Sequence, residues 1–179
     1  SIKKYLPGAT ASGLYEARLA HEEMGTKAHT YSPAYKKDEF PEILRYSSHV
    51  TFNSLHQFEE LKEIVVKSEN KVSMGLRVNP GFSKVKTDLY NPVAPGTRLG
   101  IGYRDLSFPL PAGIEGLHFH TLFEDNSYTL EQTLDAFEQR FGEFLPQLKW
   151  VNMGGGHLIT GEKYNRNHLI GLLKSFAEK

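Results

Sequence analysis

With 179 residues, 39% apolar and 23% charged, the chain has room for one sizeable core and the composition of a globular domain. Twenty-one basic and 21 acidic side chains cancel, so no overall field recruits nucleic acid or an anionic membrane, and neither is expected as a partner. The absence of cysteine excludes disulfides, thiolate metal sites and a cysteine nucleophile within this chain.

No run approaches the ~18 apolar residues of a membrane span, and SIKKYLPGATASG at the start lacks the apolar stretch of a signal peptide. A cytoplasmic protein is the expectation. Ser1 stands where an initiator Met would, so a longer parent chain is expected as well.

Taken in order, short β-rich runs alternate with amphipathic ones. Ala9 to Ala11 reads as extended, and Ser12 as the N-cap of a helix through Leu14, Ala17, Leu19, Ala20 and Met24 that Gly25 stops. Lys27 to Ser32 predicts a strand, and Phe40, Ile43, Leu44 and Tyr46 take helical spacing. His49 to Asn53 alternates as a strand, and Ser54 caps a helix carrying Leu55, Phe58, Leu61, Ile64 and Val65. Lys71 to Val78 is the next strand. Asn79 to Gly100 then loses all periodicity and fills with proline and glycine, a loop length that usually signals function. Gly113 to His120 resumes as a strand, followed by a helix over about Leu130 to Phe144. Leu148 to Met153 is a strand ending in three glycines, and His168 to Phe176 closes as a helix.

About six strand–helix units without hairpin turns imply a parallel α/β sheet, either doubly wound or a barrel. Six fall short of the eight that close a (β/α)₈ barrel. In either architecture reactive groups lie past the carboxyl ends of strands. Those positions hold Ser12, Tyr31, Asn53, Arg77, His120 and Gly154 to His157. Gly154, Gly155 and Gly156 fill no core, and allow backbone N–H groups to approach an anion. A tight turn with unusual torsions would need them equally. His118 and His120 share a strand face. They could chelate zinc, offer an imidazole platform to a planar ring, or simply be one buried, hydrogen-bonded histidine and its neighbour. Arg77 suits an anion or a salt bridge. Glu124, Asp125 and Asp88 lie in loops where they could attract a cation.

Four segments then carry a specific resemblance: ASGLYEARLAHEEMG (11–25), GLRVNPGFSKVKTDLYNPVAPGTRLG (75–100), GIEGLHFHTLFE (113–124) and LKWVNMGGGHLIT (148–160). In order, and over nearly the whole chain, they resemble carboxynorspermidine/carboxyspermidine decarboxylase. That family belongs to the alanine-racemase-like pyridoxal 5'-phosphate (PLP) enzymes, relatives of ornithine and diaminopimelate decarboxylases. The resemblance implies a PLP-binding (β/α)₈ barrel of which residues 1–179 form strands two to seven, with a C-terminal β-domain absent from this chain. It implies a homodimer, PLP as cofactor, and decarboxylation of a carboxylated polyamine in polyamine biosynthesis.

By that resemblance His120 stacks on the cofactor ring, Gly154, Gly155 and Gly156 bind its phosphate, and Arg77 ends a barrel strand beside it. Glu16, Arg98 (in Thr97-Arg98-Leu99-Gly100), Glu124 and Asp125 fall at the mouth as substrate-binding candidates. The family often carries cysteine where this chain has Val93 and Phe123. Its Schiff-base lysine is expected upstream of Ser1, and its E-P-G element beyond Lys179, so no catalytic residue is expected within 1–179 and the chain alone should be inactive. Two other classes remain: a non-catalytic PLP- or anion-binding barrel, and a metal-dependent hydrolase using His118 and His120.

Overall fold

The computed structural model describes residues 2–179, with the side chains of Ile2 and Asp88 outside the described set. The chain divides into two compact units, Ser1–Arg77 with Pro111–Leu117, and Val78–Leu110 with His118–Lys179. The α/β class expected from the sequence holds, with parallel strands separated by helices.

In chain order the strands are β1 (Ala9–Ala11), β2 (Ala28–Tyr31), β3 (Ser47–Phe52), β4 (Ser73–Asn79), β5 (Ile101–Gly102), β6 (Ile114–His118) and β7 (Trp150–Asn152). The helices are α1 (Leu14–Leu19), α2 (Phe40–Tyr46), α3 (Leu55–Val66), α4 (Ser127–Phe141) and α5 (Arg166–Ala177).

In the first unit the strand order is β1-β2-β3-β4-β6, and β1 to β4 pair in parallel. Neighbouring strands that are also consecutive in sequence must be joined by crossovers, which α1, α2 and α3 supply. One side of this sheet is apolar. Val50 and Phe52 of β3 and Leu76 of β4 are fully buried with Phe40 and Leu44 of α2 and Phe58 of α3. The Phe52 ring lies 5.6 Å from that of Phe58 and 6.1 Å from that of Phe40. Each such ring stabilises the fold by about 1.5–3 kcal/mol. Where α1 approaches, the core is made of Ala11, Ala17, Ala20 and Ala28, small enough for a close helix–sheet contact.

The opposite side of the same strands is polar. Register aligns His29 with His49 and then Ser73, and Tyr31 with Thr51 and then Gly75. The His29 and His49 rings stack at 5.1 Å, and His29 Nε2 shares a hydrogen bond with Thr51 Oγ1 at 2.9 Å.

In the second unit, Val78 and Asn79 at the end of β4 pair with β5. Phe119, just past β6, donates its N–H to Asn152 of β7 at 2.9 Å. Leu130, Leu134, Phe137 and Phe141 of α4 form a buried stripe at helical spacing, with the Phe119 ring 5.1 Å from that of Phe137.

Local rules set most boundaries. Ser54 accepts from Gln57 N–H at the start of α3, Asn126 from Tyr128 and Thr129 N–H at α4, and Asn165 from His168 N–H at α5. Gly25 ends the first helical segment in the left-handed region, as expected. Four expectations shift. Gly13, not Ser12, is the N-cap of α1, because Ser12 turns its hydroxyl onto Glu16. Helix α4 starts at Ser127 rather than Leu130, the asparagine cap outranking the apolar pattern. Strand β6 ends at His118, leaving His120 in the following loop. Strand β5 went unforeseen, since two residues show no alternation.

Burial, with His49 as a second cause, pushes His29 down to about 4, and burial also lowers His49. Both rings are therefore neutral in the fold while the unfolded chain takes up protons below the ordinary value of about 6.5. That stability is present above about pH 6.5 and is lost as pH falls toward 4. His29→Gln should flatten this acid slope, read as a smaller gap between urea midpoints at about pH 7 and about pH 5. An unchanged gap would rule out His29 as its source.

Candidate functional site

The second unit brings the sequence's two foremost candidates together. Past β6, Phe119 is fully buried while His120 emerges exposed, and its imidazole lies beside the loop that follows β7. Gly155 donates its N–H to His120 Nδ1 at 3.3 Å. A neutral ring accepting at Nδ1 carries its proton on Nε2. His118, buried behind it, holds its ring parallel to that of His120 at 6.5 Å.

The glycines are demanded by proximity. Gly154 has φ +70, and a Cβ there would lie 2.7 Å from both His120 Nδ1 and the Phe119 carbonyl oxygen. Gly156 has φ +94, and its Cβ would stand 2.2 Å from the Leu122 carbonyl oxygen. Gly155 is different: its φ is ordinary, and a Cβ would reach only to 4.0 Å from His120 Cε1. The Gly154 N–H is spent on Asn152 Oδ1 at 2.9 Å. The triplet is thus a close backbone approach to an imidazole rather than three N–H groups aimed at one point. An exposed imidazole beside Gly155, whose Cβ position is open, fits a planar phosphorylated group such as PLP.

Two further contacts zip these loops together. Asp125 N–H donates to the Gly156 carbonyl at 2.8 Å, and Leu158 N–H to the Asp125 carbonyl at 3.0 Å. The Asp125 carboxylate is engaged locally, one oxygen accepting from Thr129 Oγ1 at 2.6 Å and Asn126 N–H at 2.9 Å. Glu124 is exposed and takes φ 50, a left-handed value uncommon for any residue but glycine. Next in the chain, His157 Nδ1 meets the Tyr164 hydroxyl at 2.5 Å; burial lowers the His157 pKa, with Asp125 acting against it, and raises that of Tyr164. His157 stands among the strand-end candidates, but its pairing with Tyr164 and the part played by Asn152 carried no signal in the sequence, because each matters only through what the loops bring near.

The aperiodic loop reaches the same neighbourhood. Ser83 Oγ donates to the Thr121 carbonyl at 2.8 Å, and the exposed ring of Tyr90 lies parallel to that of Phe123 at 6.5 Å. Phe123, where the resembling family often has cysteine, therefore packs on the long loop. Arg98 lies exposed in that loop, and Val93 is half-buried. The Asp88 side chain lies outside the described residues.

Arg77 and Glu16 belong to the first unit. Arg77, expected to end its strand, is buried two residues before the end of β4, with Nη1 donating to the Tyr31 hydroxyl at 2.5 Å. Glu16 accepts from Ser12 N–H at 2.7 Å and Ser12 Oγ at 2.6 Å, which hold its carboxyl below the ordinary value. Its carboxylate thus secures the loop before α1. Among the described residues no group of three or more His, Asp or Glu could hold a metal ion, so the hydrolase alternative lacks a ligand set there.

No family model matches the chain. Individual proteins do. A carboxynorspermidine/carboxyspermidine decarboxylase of Campylobacter jejuni is 46% identical over 178 residues, covering 99% of this chain and 46% of that protein. A carboxyaminopropylagmatine decarboxylase of Synechocystis sp. is 44% identical over the same span and share. The crystal structure of carboxynorspermidine decarboxylase from Campylobacter jejuni, complexed with norspermidine, superposes with a TM-score of 0.86 at 44% identity, covering 99% of this chain and 44% of that one. The resemblance to these decarboxylases stands. A diaminopimelate decarboxylase at 22% identity and TM-score 0.70 adds agreement in fold. The chain spans about half the length of the curated relatives it matches.

Gly156→Ala should destabilise the protein by about 2 kcal/mol or more, since it meets both a positive φ and a backbone oxygen. Gly155→Ala should stay within about 0.5 kcal/mol of wild type. Urea denaturation of both variants checks the contrast, and equal costs would refute the close-approach account.

Proposed function

We infer that this chain supplies the cofactor-holding strands of a PLP-dependent decarboxylase acting on carboxynorspermidine, carboxyspermidine or a related carboxylated polyamine, in polyamine biosynthesis. The observation that carries the reading is the exposed His120 imidazole against the Gly154–Gly156 loop, within a 178-residue stretch similar to such decarboxylases. PLP, when bound, supplies a ring that takes up the electron pair left as carbon dioxide departs.

The chain's own residues bind and orient. The His120 face supports the cofactor ring, and the Gly155 N–H fixes the imidazole's orientation from its Nδ1 edge. The missing side chain at Gly155, whose Cβ position is open, leaves room for the phosphate beside His120. Arg77 offers a fixed cation near the end of β4. The decarboxylation lysine is taken to lie outside residues 1–179. We read the whole protein as a cytoplasmic homodimer, on the strength of the family resemblance; no described helix is long and apolar enough to cross a membrane.

Pyridoxamine 5'-phosphate, which needs no lysine partner, tests the site directly. The chain should bind it in titration calorimetry, and His120→Ala should weaken binding about tenfold through lost stacking. No binding by the wild-type chain would remove the cofactor reading.

Of the acidic mouth residues, Glu124 bears the substrate expectation, because Asp125 is committed to the start of α4. In the decarboxylase carrying this chain, Glu124→Gln should raise KM for the carboxylated polyamine about threefold or more with little change in kcat. An unchanged KM would sink the role.

A further inference from the structure

Three successive strands of the first unit place Tyr31 at the end of β2, Asn53 just past β3, and Arg77 two residues before the end of β4. The contacts among them form a directed chain. The Arg77 guanidinium carbon lies 4.8 Å from the centre of the Tyr31 ring, while Nη1 donates to the Tyr31 hydroxyl. That hydroxyl in turn donates to Asn53 Oδ1 at 2.8 Å. Asn53 is anchored through its own backbone, whose N–H donates to Gln57 Oε1 at 2.7 Å, and Gln57 belongs to the first turn of α3. Asn53, Gln57 and Arg77 are all buried.

A guanidinium on a long side chain has many rotamers, and burial alone does not select its plane. A ring face on one side and a hydroxyl at one nitrogen do. The hydroxyl's proton stays on Tyr31 at neutral pH, since burial raises its pKa although Arg77 pulls the other way. It therefore points its proton to Asn53 and its lone pair to Arg77, and only that arrangement satisfies both neighbours.

We propose that Tyr31 is the positioning residue for Arg77: its ring and hydroxyl fix the guanidinium plane near the end of β4, with Asn53 and Gln57 holding Tyr31 in turn. The consequence for an anionic or phenolic ligand group at that strand end rests on the cofactor reading above; the positioning itself does not.

The test uses Tyr31→Phe, which keeps the ring and removes the hydroxyl, with Asn53→Ala as the independent variant. Rotation about the Arg77 Nε–Cζ bond, followed by nitrogen NMR of the guanidinium, should be slow in the wild type and about tenfold faster in each variant. Unaltered rotation in both variants would overturn the proposal, whatever the ligand does. Binding of pyridoxamine 5'-phosphate supplies the second readout. Tyr31→Phe should weaken it about fivefold, and should add nothing to the loss in Arg77→Lys, because the two changes break one contact. Additive losses would overturn the positioning role. Faster rotation in the variants, with a wild type that binds no pyridoxamine 5'-phosphate, would leave Tyr31 as positioner and defeat the cofactor reading instead.

Discussion

Gly156 and Leu122 approach one another so closely that no side chain fits between the two backbones, and Gly154 meets Phe119 and His120 in the same way. This contact draws the loop after β7 against the segment leaving β6. The ladder from Asp125 to Gly156 and on to Leu158 then fastens the two loops beyond it. The placement of the loop beside His120 derives from that one steric demand, met at two glycines with left-handed torsions, and the Gly155 N–H orients the ring.

The first unit solves a different problem, that of a sheet with one apolar and one polar side. Phenylalanines on one face supply the burial, and the other carries histidines, hydroxyls, an amide and a guanidinium. A buried polar face is tolerable only if its members satisfy each other. The pairs His29 with Thr51, Tyr31 with Asn53, and Arg77 with Tyr31 do this across strands. Side chains that would be costly singly become a rigid polar lattice, and rigidity is what a binding surface requires.

The order of elements was legible because apolar periodicity and short polar caps mark it locally; Ser54 and Gly25 behave as their types predict. That His120 and the triplet lie together was legible as well, since both follow strands whose ends a parallel sheet aligns. Ser12 misled because its hydroxyl could serve either the helix or Glu16, and nothing local decides that contest. The pairing of Tyr31 with Arg77 joins residues 46 apart, and that of Asn152 with Gly154 depends on a left-handed turn. Neither is written in any spacing. Asp125 looked like a mouth residue, but a carboxylate one place before an asparagine cap has a helix to serve first.

The Ser83–Thr121 hydrogen bond and the Tyr90–Phe123 stack change how the aperiodic loop behaves as a polymer. A free excursion from Asn79 to Gly100 would have one pair of fixed ends and a broad distribution of paths. Pinned at Ser83 and again at Tyr90, it becomes a series of short arcs, each sampling a small volume. The chain can thus carry a long irregular segment beside the His120 loop without that segment sweeping across it.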